Sequence, residues 1–137
     1  MPGTLVIHID ENLPVALVPA AGGFVAIDAA GRTLPIDPSR TLVDLPIVPR
    51  ADSALLAMLA MLRASEPRVF DRISEVRRVG TSEVLFLLTS YPVRAMLDVS
   101  PGRLADIFPV EEDLARRNAR IAELDLRYRD QVIARVQ

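Results

Sequence analysis

The sequence predicts an α+β domain: a mostly antiparallel sheet with two or three helices packed on one face. Three observations predict it. Short segments alternating apolar and polar residues recur along the chain, with turn-length gaps between them. Helical spacing of apolar residues is confined to two stretches, one opening near Asp52 and one near Pro101. At 137 residues, half of them hydrophobic and a quarter charged, the chain can bury one real core and has no room for two comfortable ones.

The elements follow in order. "TLVIHID" (residues 4–10) alternates, with Leu5, Ile7 and Ile9 on one face, and reads as a strand. Pro14 and "VALV" open another, since a proline at a strand start removes no ladder bond. "FVAIDAAGRTLPI" reads as a hairpin in which Asp28 opens the turn and Gly31 takes the positive-φ position. Four of the eleven prolines fall between 35 and 50 (Pro35, Pro38, Pro46 and Pro49), which marks an ordered connecting loop. Asp52 or Ser53 then caps a helix to about Ser65 with Leu55, Leu56, Leu59 and Leu62 on its core face. "ISEVRRV", "EVLFLLTS" and "VRAMLDV", with turns at Gly80 and at Tyr91-Pro92, form a meander whose apolar middle strand should lie inside the sheet. A helix begins near Pro101 or Gly102 and continues or restarts after Pro109. Two amphipathic strands, about 121–128 and 131–136, follow it.

Composition excludes several function classes. A formal net charge of −2 and a pI near 5.4 lack the basic excess of a nucleic-acid footprint. All sixteen basic residues are arginine, a bias that fits a GC-rich coding sequence. Without cysteine there is no disulfide, no thiolate ligand and no cysteine nucleophile. The longest apolar run, residues 54–62, would span about 13 Å as a helix, well short of a bilayer core.

Candidate chemistry is sparse, and the expectation is a protein that is not an enzyme and binds no cofactor or metal. His8 is the sole histidine and has no second imidazole or thiol to share a metal or a proton with. Glu111, Glu112 and Asp113 read as helix-start acids rather than a cation site. Gly22-Gly23 reads as a turn, and Met58 and Met61 read as core filler. The residues of interest lie at the C-terminal end. There, Val132, Ile133, Ala134 and Val136, interrupted only by Arg135, form a strand with little of the charge or proline that normally blunts a sheet edge. Such a strand is either buried in the sheet or an edge to which a partner peptide adds a strand.

"ELDLRYRDQVIARV" resembles the closing segment of the bacterial division family FtsQ, called DivIB in Gram-positive bacteria. "PGTLVIHIDENLPVALV" is similar to the family's P-x-T-L-x-I-x-I-x-E-x-x-P-V-A stretch, with Glu11, Pro14, Val15 and Ala16 in place. "FVAIDAAGRTLPI" resembles its D-x-x-G hairpin, and "VDLPIV" its L-P-x-L loop, followed here by Pro49-Arg50 where a glycine is common. The resemblance implies a single-pass protein of the cell inner membrane with a POTRA domain and a β domain on the periplasmic or extracytoplasmic side. Residues 1–13 would be the last strand of a truncated POTRA domain and 14–137 the β domain. The membrane would be reached only through a transmembrane helix absent from this chain. It further implies a non-catalytic divisome scaffold acting in septum formation, whose partners are FtsB and FtsL-type proteins, bound by β-strand addition to the terminal edge. Carried onto this sequence, the contact positions are Arg127, Tyr128, Val132, Ile133, Ala134, Arg135 and Val136. Arg127 has a second reading as an ion pair with Glu123 or Asp125, and Tyr128 as a core residue. The alternative function is a structural module that self-associates through the same strand.

Overall fold

The computed structural model describes residues 13–36 and 44–137. The strand expected at 4–10, with His8, and part of the proline-rich loop lie outside them. The expected α+β class holds: a five-stranded sheet and a two-stranded sheet share one core with a layer of helices.

Strands β1 (Ala16–Ala20) and β2 (Gly23–Ile27) pair antiparallel across a tight turn at Gly22, whose φ of +83° suits glycine. Asp28 closes the next turn as its sequence suggests. Its buried carboxylate accepts from the N–H groups of Ala30 and Arg32 at 3.0 and 2.9 Å, while Gly31 sits at φ +84°. The chain then bridges back to β2 at Thr33.

The proline-rich segment does more than connect. Ile47 forms parallel bridges to Leu17 on one side and Glu75 on the other, so a few residues of it lie between the two sheets. Pro46 fits there because only its carbonyl is used, accepting from Leu17 N–H at 2.9 Å.

Helix α1 (Ser53–Ser65) is capped by Asp52, which accepts from Ala54 N–H at 3.1 Å, and buries Leu55, Leu56, Met58, Leu59 and Leu62. Met61 does not join this face. It lies two positions past Leu59, about 200° round the helix, and is 59% exposed. A single helical turn, α2 (Pro67–Phe70), follows with proline at its start, where the missing N–H costs nothing.

The meander forms as expected from β3 (Ile73–Val79), β4 (Glu83–Leu88) and β5 (Pro92–Met96). Val76, Val84, Phe86, Val93 and Ala95 point into the core shared with the helices, while Leu85 and Leu87 on the opposite face are only half-buried. After α3 (Pro101–Leu104), α4 (Ile107–Arg116) starts two residues before Pro109 rather than after it. Pro109 thus stands in the first turn, where its N–H has no intrahelical partner to lose. Glu111, Glu112 and Asp113 therefore fall mid-helix and are not first-turn acids. Glu111 instead receives two hydrogen bonds from Arg72, at 2.9 and 2.7 Å, fastening α4 to the meander.

The chain closes with β6 (Ile121–Asp125) and β7 (Ile133–Val136), giving the order β3-β4-β5-β6-β7. β6 joins β5 in parallel, the crossover being α3 and α4. The seam between them is two residue pairs long, Val93 with Leu124 and Arg94 with Asp125. Both terminal strands are shorter than their alternation suggests. β6 stops at Asp125 because its carboxylate accepts from Arg127 N–H at 3.0 Å and turns the chain.

Candidate functional site

β7 stands at the end of the sheet, and among the described residues it pairs only with β6. Two independent bonds fix which of its backbone groups face outward. Gln137 N–H donates to Arg120 carbonyl at 2.9 Å, so alternation turns Arg135 and Ile133 the same way, toward β6. From the other side, Leu126 N–H donates to Arg94 carbonyl at 2.8 Å, so Leu124 faces β5 while Glu123 and Asp125 face β7. Their register partners are Arg135 and Ile133. Both routes leave the N–H and C=O of Ala134 and Val136 pointing away from the molecule.

The contact residues expected from sequence divide between the two faces of this edge. Ala134 sits opposite Leu124 and, with Val132 just before the strand, packs half-buried against the core. Val136 is 52% exposed, and Ile133 and Arg135 are exposed on the opposite face. Tyr128 lies in the connecting turn and is 46% exposed, so the core reading of this residue does not hold. Arg103 of α3 fixes the turn by donating to the carbonyls of Tyr128 and Gln131, both at 2.6 Å.

Arg127 is occupied within the molecule. Its guanidinium binds Asp125 at 2.7 Å and Glu83 of β4 at 3.1 Å, realising the Asp125 ion pair. Glu123 goes elsewhere: Arg94 holds it at 2.6 Å and Arg135 approaches at 3.5 Å. These six residues form one ionic layer on the face away from the helices. Sequence reasoning missed Glu83 and Arg94, which only the pairing register brings here, and Arg103, which the packing of α3 against the terminal hairpin brings here. The alternating charges of 123–129 were the sole hint.

The hydrogen bonds from Arg127 hold the Asp125 carboxyl below the usual aspartate range, against the opposing pull of its partial burial. A depressed folded-state value contributes stability in full above the unfolded value, near 3.9, and loses it as pH falls through the lower folded value. Thermal unfolding at pH 7 and pH 3 should therefore show a smaller acid-induced drop in Tm for Asp125→Asn than for the parent. An equal drop would place the acid sensitivity elsewhere.

Among the described residues no group of three or more His, Asp or Glu could hold a metal ion, and no helix is long and apolar enough to cross a membrane. The class defined by this geometry is a two-layer α+β domain whose terminal strand, among the described residues, has a free outer side beside an exposed tyrosine. No protein-family model matches the chain, and no curated protein does. Among solved structures it is similar to the major extracytoplasmic domain of the trans isomer of the bacterial cell division protein DivIB from Geobacillus stearothermophilus. The identity is 22% and the TM-score 0.54, over 78% of this chain and 97% of that one. The two share a fold.

Proposed function

We propose that this chain is an extracytoplasmic domain of the FtsQ/DivIB type, a non-catalytic scaffold of the bacterial division machinery. Its partner is the FtsB–FtsL pair, one member of which adds a strand to β7. The protein carrying it is anchored in the inner membrane by a helix outside this chain, with residues 14–137 as its β domain and 1–13 as the end of a POTRA domain. The fold likeness to the DivIB domain and the ordered sequence motifs support the reading. The single observation that carries it is the outward backbone of Ala134 and Val136, which no other described residue shares. Tyr128, rigid and half-exposed beside that edge, supplies an aromatic anchor with a polar tip.

The test is Ala134→Pro, not a proline at Ile133, whose N–H faces β6. Proline at 134 removes an outward N–H and leaves every β6 bond in place. The stranded partner carbonyl costs about 1–3 kcal/mol, so binding to the purified FtsB–FtsL ectodomain pair should weaken tens of fold with Tm nearly unchanged. Ala134→Val, which keeps the N–H, should bind like the parent. Undiminished binding by the proline variant would overturn strand addition at this edge.

A further inference from the structure

We propose that the strand accepted by β7 carries a carboxylate placed beside Arg135. The inference rests on the strand-accepting reading and specifies the chemistry of the partner. On the face away from the helices, charge alternates strand by strand across the sheet: Arg94 on β5, Glu123 on β6, Arg135 on β7. Glu123 is largely buried beneath the two arginines, its side chain 14% exposed. It is not shared equally. Arg94 holds one carboxylate oxygen at 2.6 Å, whereas Arg135 reaches the other at only 3.5 Å and leaves its side chain 77% exposed. The neighbouring arginine on this face, Arg127, is closed on Asp125 and Glu83 and has little left to offer a newcomer. Among the described residues, Arg135 is the exposed cation that β7 itself presents at the rim.

Backbone geometry places the incoming residue. Arg135 turns its own N–H and C=O toward β6, so relative to an added antiparallel strand it occupies a non-hydrogen-bonded position. Side chains directly opposite each other approach most closely at such positions, with Cβ atoms about 4.5–5.5 Å apart. A glutamate or aspartate there continues the alternation by one strand. Its two neighbours fall opposite Ala134 and Val136 on the other face, where apolar side chains extend the half-covered core margin. The recognised strand is therefore apolar–acidic–apolar. A basic residue at its centre would face Arg135 directly and be rejected.

The experiment uses three fluorescently labelled nine-residue peptides that alternate Thr and Val about a central Glu, Gln or Lys. Binding to the purified chain is read by polarisation at low and high salt. The expected order is Glu over Gln over Lys, spanning on the order of tenfold at low salt and narrowing at high salt. In Arg135→Glu the order should invert, and Ala134→Pro should weaken all three peptides alike. Equal binding of the three, with Ala134→Pro still abolishing it, would overturn the acidic preference and leave strand addition standing. Binding that is absent, or indifferent to Ala134→Pro, would overturn both.

Discussion

Replacing Phe86 with alanine should cost about 3–5 kcal/mol and lower Tm on the order of 10–20 °C. Phe86 is the largest fully buried side chain, 1% exposed, and stands at the centre of the meander between its register partners Val76 and Val93. With no tryptophan and only four phenylalanines, the core has few large side chains able to shift into the space left behind. Aliphatic neighbours held on strands relax little, so the cavity persists and adds to the lost transfer energy. Phe86→Leu, which retains most of the volume, should cost far less. Chemical denaturation of the three proteins decides the matter, and a loss below about 1 kcal/mol for the alanine variant would mean that Phe86 is not the keystone of this core. Since Phe86 lies remote from β7, Phe86→Leu should also leave partner binding unchanged.

Asp52→Ala should have the next largest effect on stability, about 1–2 kcal/mol from loss of the helix cap alone. Its carboxylate has two tasks. It accepts from Ala54 N–H at 3.1 Å to start α1, and it takes a bidentate pair from Arg78 of β3, at 2.9 and 2.8 Å. The tasks are separable. Asparagine caps a helix about as well as aspartate, so Asp52→Asn should retain most of the stability, and Arg78→Ala should cost less than Asp52→Ala. If Asp52→Asn proved as damaging as Asp52→Ala, the ion pair to β3 and not the cap would govern this corner of the fold.

What the sequence made legible was local. Asp28 and Gly31 announce their turn because side-chain capping and positive φ are satisfied within five residues. α1 and the three meander strands are set by spacing and by a turn at Gly80, each decided over a dozen residues or fewer, whereas the second turn falls at Thr89-Ser90 and not at Tyr91-Pro92, because Pro92 already opens β5 opposite Leu87. The failures share a cause in pairing across distance. Nothing near Ile47 indicates that it bridges β1 and β3, and nothing near Leu124 that it runs parallel to Val93. The terminal edge was anticipated as a strand lacking protective charge. Which of its N–H groups face outward could not be, because a one-residue slip exchanges every group. The same holds for Arg127. Its sequence neighbours suggested an ion pair, but its contact with Glu83 exists only through the register of three strands, β4, β5 and β6.

The two-pair seam between β5 and β6 has a dynamic consequence. A parallel ladder so brief holds the terminal hairpin with few backbone bonds, so side-chain ions such as Arg94–Glu123 and Arg127–Glu83 serve as its outer fastenings. The hairpin should thus behave as a separate cooperative unit whose amides exchange with deuterium well before those of the meander. Ligation at its far margin would then slow exchange two strands inward, because a hairpin clamped on both flanks must release both to open.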